Sequence, residues 1–253
     1  MQTMPDECID LTVTSPPYDN LRTYKGYKFE FNRVAWELLR ITKPGGVVVW
    51  VVGDATIKGS ETGTSFKQAL YFKEIGFNLH DTMIFHKPNA MPLTHNRYDP
   101  AFEYMFILSK GKPKVFNPIK EECKYAGGVK KRHQEKKATL DVMSSTRFRD
   151  EENTYKELKY RKNLWSYPVG VEPEVEIGNH PAPFPQKLAG DHVVSWSNEG
   201  DLVLDPMCGS GTTLKMAKQL GRNYIGIDIS NEYCEIARRR VNSLDGMSRI
   251  GEI

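Results

Sequence analysis

The sequence predicts an α/β fold: a doubly wound, mostly parallel sheet with helices on its faces. Three observations carry this. Strand-like apolar runs alternate with segments of helical period along most of the 253 residues. Val47 to Val52 is continuously apolar, β-branched around a single Trp, as in a strand covered on both faces. Two strands also run directly into unusual turns at their C-terminal ends, where open α/β sheets bind ligands.

Taken in order, Ile9 to Val13 reads as a short strand that enters the turn Ser15-Pro16-Pro17-Tyr18. Phe29 to Ile41 carries Phe31, Val34, Leu38 and Ile41 at helical spacing, and Lys43-Pro44-Gly45-Gly46 ends that helix. The Val47–Val52 strand follows. A helix over Ser65 to Ile75 stops at Gly76, and strands come near Asp81 to His86 and Glu103 to Leu108. From Ser109 to about Ile177 the regularity fails. Beyond it, Pro185 to Trp196 predicts a helix and Leu202 to Leu204 a strand. A Gly-rich turn and a helix from Thr212 to Leu220 come next. Tyr224 to Ile227 is a strand ending at Asp228, and Glu232 to Val241 a helix with Cys234, Ile236, Ala237 and Val241 inward. The expected organisation is 1–108 and 178–253 as two halves of one catalytic domain, with 109–177 inserted between them.

Charge sharpens that division. Lys110 to Lys162 holds 16 Lys and Arg against 8 Asp and Glu, whereas the remainder holds 19 against 24. A basic insert on a slightly acidic body fits a polyanion-binding segment or a solvated loop region. No apolar run reaches the roughly 20 residues of a membrane span. The N-terminus has no basic start and no apolar core, so it does not read as a secretion signal. Cys8, Cys123, Cys208 and Cys234 are scattered, without zinc-ligand spacing or a disulfide framework. A reducing, cytoplasmic setting and no metal are expected; His80, His86, His95 and His180 show no ligand pattern.

The segment Asp205-Pro206-Met207-Cys208-Gly209-Ser210-Gly211-Thr212-Thr213 joins a strand to a helix. Gly209 and Gly211 let backbone approach a ligand. Thr212 or Thr213 is placed to cap the helix. Asp228, 15 residues after Thr213 and at the end of the next strand, suits a ribose diol. Such a turn also fits a dinucleotide or a mere tight connection. It lacks the third glycine of the dinucleotide fingerprint and has no Gly-Lys-Ser/Thr. Asp205 repels pyrophosphate but suits a cationic sulfonium or an ammonium.

In Thr14-Ser15-Pro16-Pro17-Tyr18, the two prolines stiffen the backbone so that the carbonyls of Ser15 and Pro16 can face a ligand. The Ser15 hydroxyl adds an acceptor and Tyr18 a stacking ring. This set suits methylation of an exocyclic amino nitrogen. Such a nitrogen delocalises its lone pair into the ring and is a poor nucleophile. Two acceptors for its two N–H bonds favour a pyramidal nitrogen whose lone pair is free. Positioning then does most of the work, and neither a strong base nor a metal is required. A Pro-Pro turn with a packing Tyr is the bland alternative.

Together the two motifs resemble the DNA amino-methyltransferases that make N4-methylcytosine or N6-methyladenine. The resemblance runs from Pro5-Asp6-Glu7 to Tyr18, across Lys43 to Gly46, and from Asn163-Leu164-Trp165 to the end. It includes His180-Pro181-Ala182-Pro183-Phe184-Pro185-Gln186-Lys187-Leu188. The motif order is that of the permuted β group. Protein-glutamine methyltransferases have the opposite order, and no cysteine follows a proline as cytosine-C5 enzymes require. The resemblance implies a Rossmann-like fold of the S-adenosylmethionine-dependent type and double-stranded DNA as substrate. It implies Ser15, Pro16, Pro17 and Tyr18 as the catalytic turn. Phe184, Lys187, Asp205, Pro206, Cys208, Gly209, Gly211 and Thr212 would line the cofactor, with Asp228 on its ribose. The insert would recognise the target, and the base would be flipped out to Tyr18. Serine at the head of the turn favours cytosine N4 over adenine N6. A non-catalytic DNA-binding subunit and an RNA methyltransferase are the competing readings.

Family members usually carry a further strand before the first motif, whereas this chain starts about ten residues ahead of its turn. A missing edge strand, a homodimer or a partner subunit is therefore expected there. Arg22 and Tyr24 either touch the flipped base or a phosphate or have a surface role, and Lys130, Lys131, Arg132, Lys136 and Lys137 either hold phosphates or belong to a disordered loop. Arg147, Arg149 and Arg161 are candidates for guanine edges. Trp165 reads as a packing anchor. Asp54 either caps a turn or faces the cofactor.

Overall fold

The computed structural model describes residues 1–17, 29–90, 92, 96–124, 157–170 and 184–246. The chain divides into two compact units, Met1–Asn117 with Asn163–Ile253, and Pro118–Lys162. In chain order the elements are β1 (Ile9–Thr14), α1 (Phe31–Ile41), β2 (Thr42–Val52), β3 (Thr56–Ile57), β4 (Ser60–Glu61), α2 (Thr64–Ile75), β5 (Asn78–His86), β6 (Phe102–Ser109), β7 (Lys120–Glu122), β8 (Leu158–Tyr160), β9 (Leu164–Ser166), α3 (Gln186–Trp196), β10 (Leu202–Asp205), α4 (Thr212–Gln219), β11 (Asn223–Gly226) and α5 (Asn231–Asn242), closed by a 3-10 turn at Ser243–Gly246.

The larger unit is built on a seven-stranded sheet, ordered β11-β10-β1-β2-β6-β5-β9. Pairs β11–β10, β10–β1, β1–β2 and β5–β9 are parallel. Strand β6 is antiparallel to both its neighbours, β2 and β5. The Val47–Val52 run therefore marks a doubly covered strand in a mixed sheet, not an all-parallel one. The connection explains it: among the described residues no helix separates β5 from β6, and without a crossover the chain returns antiparallel.

Strand β2 shows why both faces had to be apolar. Val48, Trp50 and Val52 join Ala35, Leu38 and Ile41 of α1 and Ala69 and Phe72 of α2 in one cluster. Val47, Val49 and Val51 point to the other face by the two-residue strand period, and they are equally buried. Trp50 Nε1 donates to Gln68 Oε1 at 2.8 Å, which satisfies its polar atom inside the core. Helix α3 packs on β1 and α4, and α4 on α5.

Two expectations are adjusted. The Lys43–Gly46 turn does end α1, but it lies inside the range of β2 as an irregularity: pairing jumps from Ile9 with Thr42 to Leu11 with Val47. Strand β9 lies inside the expected insert of 109–177 yet belongs to the sheet, pairing with β5. Its Trp165 is buried and packs 4.6 Å from the His192 ring, which ties that strand to α3. In the smaller unit, β7 and β8 form an antiparallel pair. Among the described residues, no helix is long and apolar enough to cross a membrane.

Candidate functional site

The sheet order reverses between β10 and β1. From β1 the chain crosses through α1 to β2 on one side, and from β10 through α4 to β11 on the other. Crossovers that diverge in this way leave a crevice outside the C-terminal ends of the two strands. The two turns singled out in the sequence start there. Ser15-Pro16-Pro17 follows Thr14, the last residue of β1, and Pro206 to Gly211 follow Asp205, the last of β10. Leu11 and Thr12 stand opposite Val203 and Leu204, so the strand ends are level.

Side chains stitch these ends together. Thr14 Oγ1 donates to Asp205 Oδ1 at 2.8 Å, and Thr213 Oγ1 donates to the Val13 carbonyl at 3.2 Å. The Met207 N–H reaches Asp205 Oδ1 at 3.2 Å. Asp205 is buried, and that burial pushes its carboxyl up to about 6; hydrogen bonds from Thr14, Met207 and Thr213 pull the other way. Cys208 is buried in the same loop, and its thiol is pushed up first by burial and then by the carboxylates of Asp205 and Asp228. It is held as an inert thiol, not a nucleophile.

The loop itself is held from two sides. Gly209 N–H donates to Asp228 Oδ2 at 2.9 Å, and Ser230 N–H to Asp228 Oδ1 at 2.8 Å. Each carboxylate oxygen keeps a further lone pair for a ligand. From behind, helix α5 presses on Gly211: a Cβ there would meet Ala237 Cβ at 2.7 Å, and its φ of +79° suits glycine. Gly211 is the N-cap of α4, and no side chain caps that helix. The expected threonine cap is thus corrected. Thr213 is turned toward β1, and Thr212 Oγ1 accepts from Arg240 at 3.3 Å.

The donor set fits a cationic nucleoside better than a phosphate. Two carboxylates, Asp205 and Asp228, are close enough for one to raise the pKa of the other. A pyrophosphate would be repelled, whereas a sulfonium or ammonium relieves the buried negative charge. Gly209 carries no side chain and leaves room for close approach, whereas the space a Gly211 side chain would fill is taken by Ala237.

Other expected residues are placed as follows. Ser15 and Pro17 are half-buried and Pro16 is buried. Pro206 is buried, Phe184 is half-buried just before α3, and Lys187 is exposed on α3, 3.5 Å from Asp191. Asp54 caps a turn: it accepts from Ser65 N–H at 2.9 Å, from Thr62 Oγ1 at 3.2 Å, and from the Ser65 hydroxyl. Arg161 lies in the smaller unit, its N–H on the Ile119 carbonyl at 2.9 Å. Tyr18, Arg22, Tyr24, Lys130, Lys131, Arg132, Lys136, Lys137, Arg147 and Arg149 lie outside the described residues, as does the stretch from His180 to Pro183. A groove of about 630 Å³ lined by Phe77, Asn78, His80 and Lys112 lies at the opposite end of the strands, where β5 begins. No group of three or more His, Cys, Asp or Glu gathers into a metal site among the described residues.

Sequence reading missed Arg240 and gave Thr14 and Thr213 no part in joining the two strand ends. Arg240 follows Ala237 by three residues and Ile236 by four, so helical spacing already put it on the inner face; its charge argued against burial.

Comparison with known proteins gives one family and several relatives. A DNA methylase family of N6 and N4 methyltransferases matches residues 9–239. The orphan methyltransferase M.BamHII of Bacillus amyloliquefaciens is 55% identical over 245 residues, spanning 94% of this chain and 90% of the relative. Among solved structures, the DNA modification methylase TTHA0409 of Thermus thermophilus, complexed with S-adenosyl-L-methionine, superposes with a TM-score of 0.63. It is 26% identical and covers 98% of this chain and 91% of its own. The cytosine-N4-specific PvuII DNA methyltransferase shares the fold, with a TM-score of 0.67 at 21% identity, over 99% of this chain and 84% of its own.

Proposed function

The chain belongs to the DNA methylase family of N6 and N4 methyltransferases, and on that premise we propose that it methylates the N4 amino group of cytosine in duplex DNA, using Ser15-Pro16-Pro17-Tyr18 as its catalytic turn. The activity class follows from membership: an S-adenosyl-L-methionine-dependent DNA methyltransferase of the amino type. One observation carries the site assignment. The Ser-Pro-Pro turn and the glycine loop leave adjacent parallel strands at the switch point, joined through Thr14 and Asp205.

When bound, S-adenosyl-L-methionine supplies a methyl group on a positively charged sulfur. The residues of the chain do the positioning. The Ser15 hydroxyl and the carbonyls of Ser15 and Pro16 accept the two N–H bonds of the target amine, which turns its lone pair outward. Tyr18 stacks on the flipped base. Gly209 and Gly211 bring backbone against the methionine part, with Phe184, Lys187, Pro206, Cys208 and Thr212 around it. Asp228 accepts from the ribose hydroxyls, and Asp205 complements the cationic end from beneath. Arg22, Tyr24 and the cations of the basic segment hold phosphates, and Arg147, Arg149 and Arg161 read base edges. The methylated amine is acidic enough to lose its proton to solvent. Serine at the head of the turn supports cytosine; the family itself spans both amines.

The test is transfer of labelled methyl to unmethylated duplex DNA by wild type, Ser15→Ala and Tyr18→Ala, with the product hydrolysed to nucleosides. Label on N4-methylcytosine that falls at least about a hundredfold in both variants supports the assignment. Label on N6-methyladenine overturns the choice of base. Full activity in Ser15→Ala overturns the catalytic turn.

A further inference from the structure

Arg240 is the largest charged side chain in the core, 1% exposed on α5. Its Nη1 donates to the Ser210 carbonyl at 2.7 Å, to Ser210 Oγ at 2.8 Å and to Thr212 Oγ1 at 3.3 Å. All three acceptors belong to the glycine loop or to the first residue of α4. A fully buried guanidinium is costly unless its hydrogen bonds are well made. Through Nη1 its position is coupled to that of the loop.

The same helix face touches the loop a second time. Ala237, one turn before Arg240, lies 2.7 Å from where a Cβ of Gly211 would stand. Lys218 Nζ of α4 donates to the Val241 carbonyl at 3.1 Å, next in sequence to Arg240. Helix α5 thus holds the loop and both ends of α4.

We propose that Arg240 is a positioning residue for the cofactor. It occupies the acceptors on the inner side of the loop and fixes the Ser210 peptide plane. The Gly209–Gly211 backbone then stands preformed on its outer side, where the ligand binds. Without it, the loop has to order on binding, and affinity for the cofactor falls by that cost. The guanidinium acts through the loop and touches no reacting atom. This inference rests on the glycine loop being the S-adenosyl-L-methionine site.

The experiment measures S-adenosyl-L-methionine dissociation constants by calorimetry on the DNA-free protein, with amide hydrogen exchange across residues 205–213 and kcat on DNA. Arg240→Met is expected to weaken cofactor binding by about tenfold or more and to raise loop exchange, with kcat at saturating cofactor changed much less. Arg240→Lys is expected to recover part of the affinity through one of the three bonds. If Arg240→Met fails to fold, Ser210→Ala removes one acceptor while keeping the guanidinium on the carbonyl, and about twofold or more weaker binding is expected from it. A folded variant that binds as wild type does, or one that loses kcat at unchanged affinity, overturns the proposal. If wild type itself binds no cofactor, or binds it without protecting residues 205–213, the site assignment fails instead.

Discussion

At the scale of single residues, Asp205 has the sharpest consequence. Its carboxyl titrates near 6 in the folded chain against an ordinary 3.8, chiefly because it is buried. A raised pKa means that folding favours the protonated form. This stabilisation is fully present below about pH 4 and is lost as the pH rises through 6. The difference corresponds to about 3 kcal/mol. Asp205→Asn keeps an oxygen for the Thr14 hydroxyl and removes the charge. Its unfolding free energy, measured in denaturant from pH 4 to 7, should lack this decline, so that the variant gains on wild type by about that amount as the pH rises. Parallel curves for the two proteins would show that the carboxyl is already ionised. The same substitution should weaken S-adenosyl-L-methionine at pH 7, because a buried negative charge is what a cationic ligand would neutralise. With both outcomes, stability and binding would be opposed at one carboxyl group, as expected where a fold holds a charge for a ligand.

At the scale of elements, periodicity located the five helices and the six longer strands, β1, β2, β5, β6, β10 and β11, to within about five residues. The two- and three-residue strands β3, β4, β7, β8 and β9 are too short to show a period. Strand β9 has only three residues, Leu164–Ser166, too few for a period, and exists because β5 offers an edge. The antiparallel direction of β6 is a property of its connection, not of its composition. Both turns of the site were legible because proline and glycine act on their own backbone. Their linkage was not, because Thr14 and Asp205 are 191 positions apart. Asp54 belongs with these: it caps the start of α2 from 11 residues away. Asp54→Ala should therefore destabilise the fold by about 1–2 kcal/mol in denaturant unfolding, the size of a lost cap, with the cofactor dissociation constant unmoved. A loss of cofactor affinity at unchanged stability would return Asp54 to the binding site.

At the scale of the whole molecule, charge is divided between two tasks. The crevice carries the carboxylates of Asp205 and Asp228, which suit a cationic cofactor and repel a DNA backbone. Attraction for DNA then has to come from elsewhere in the chain, and the proposed source is the stretch from Lys110 to Lys162, where 16 basic residues meet 8 acidic ones. Binding through such a segment is dominated by counterion release, which leaves a quantitative signature: the logarithm of affinity falls with the logarithm of salt, with a slope of about 0.9 per phosphate neutralised. Replacing Lys130, Lys131, Arg132, Lys136 and Lys137 with glutamine should therefore weaken DNA binding on every duplex tested and flatten the salt dependence by about 0.9 for each phosphate no longer neutralised. Fluorescence anisotropy across a salt series measures both, and the cofactor dissociation constant should stay at its wild-type value. Unchanged slope in the fivefold variant would assign DNA attraction to other cations, beginning with Arg22. A changed cofactor affinity would show instead that these lysines answer the negative charge of the crevice. The cluster and the crevice are separable in this test because one is read by salt and the other by the cofactor.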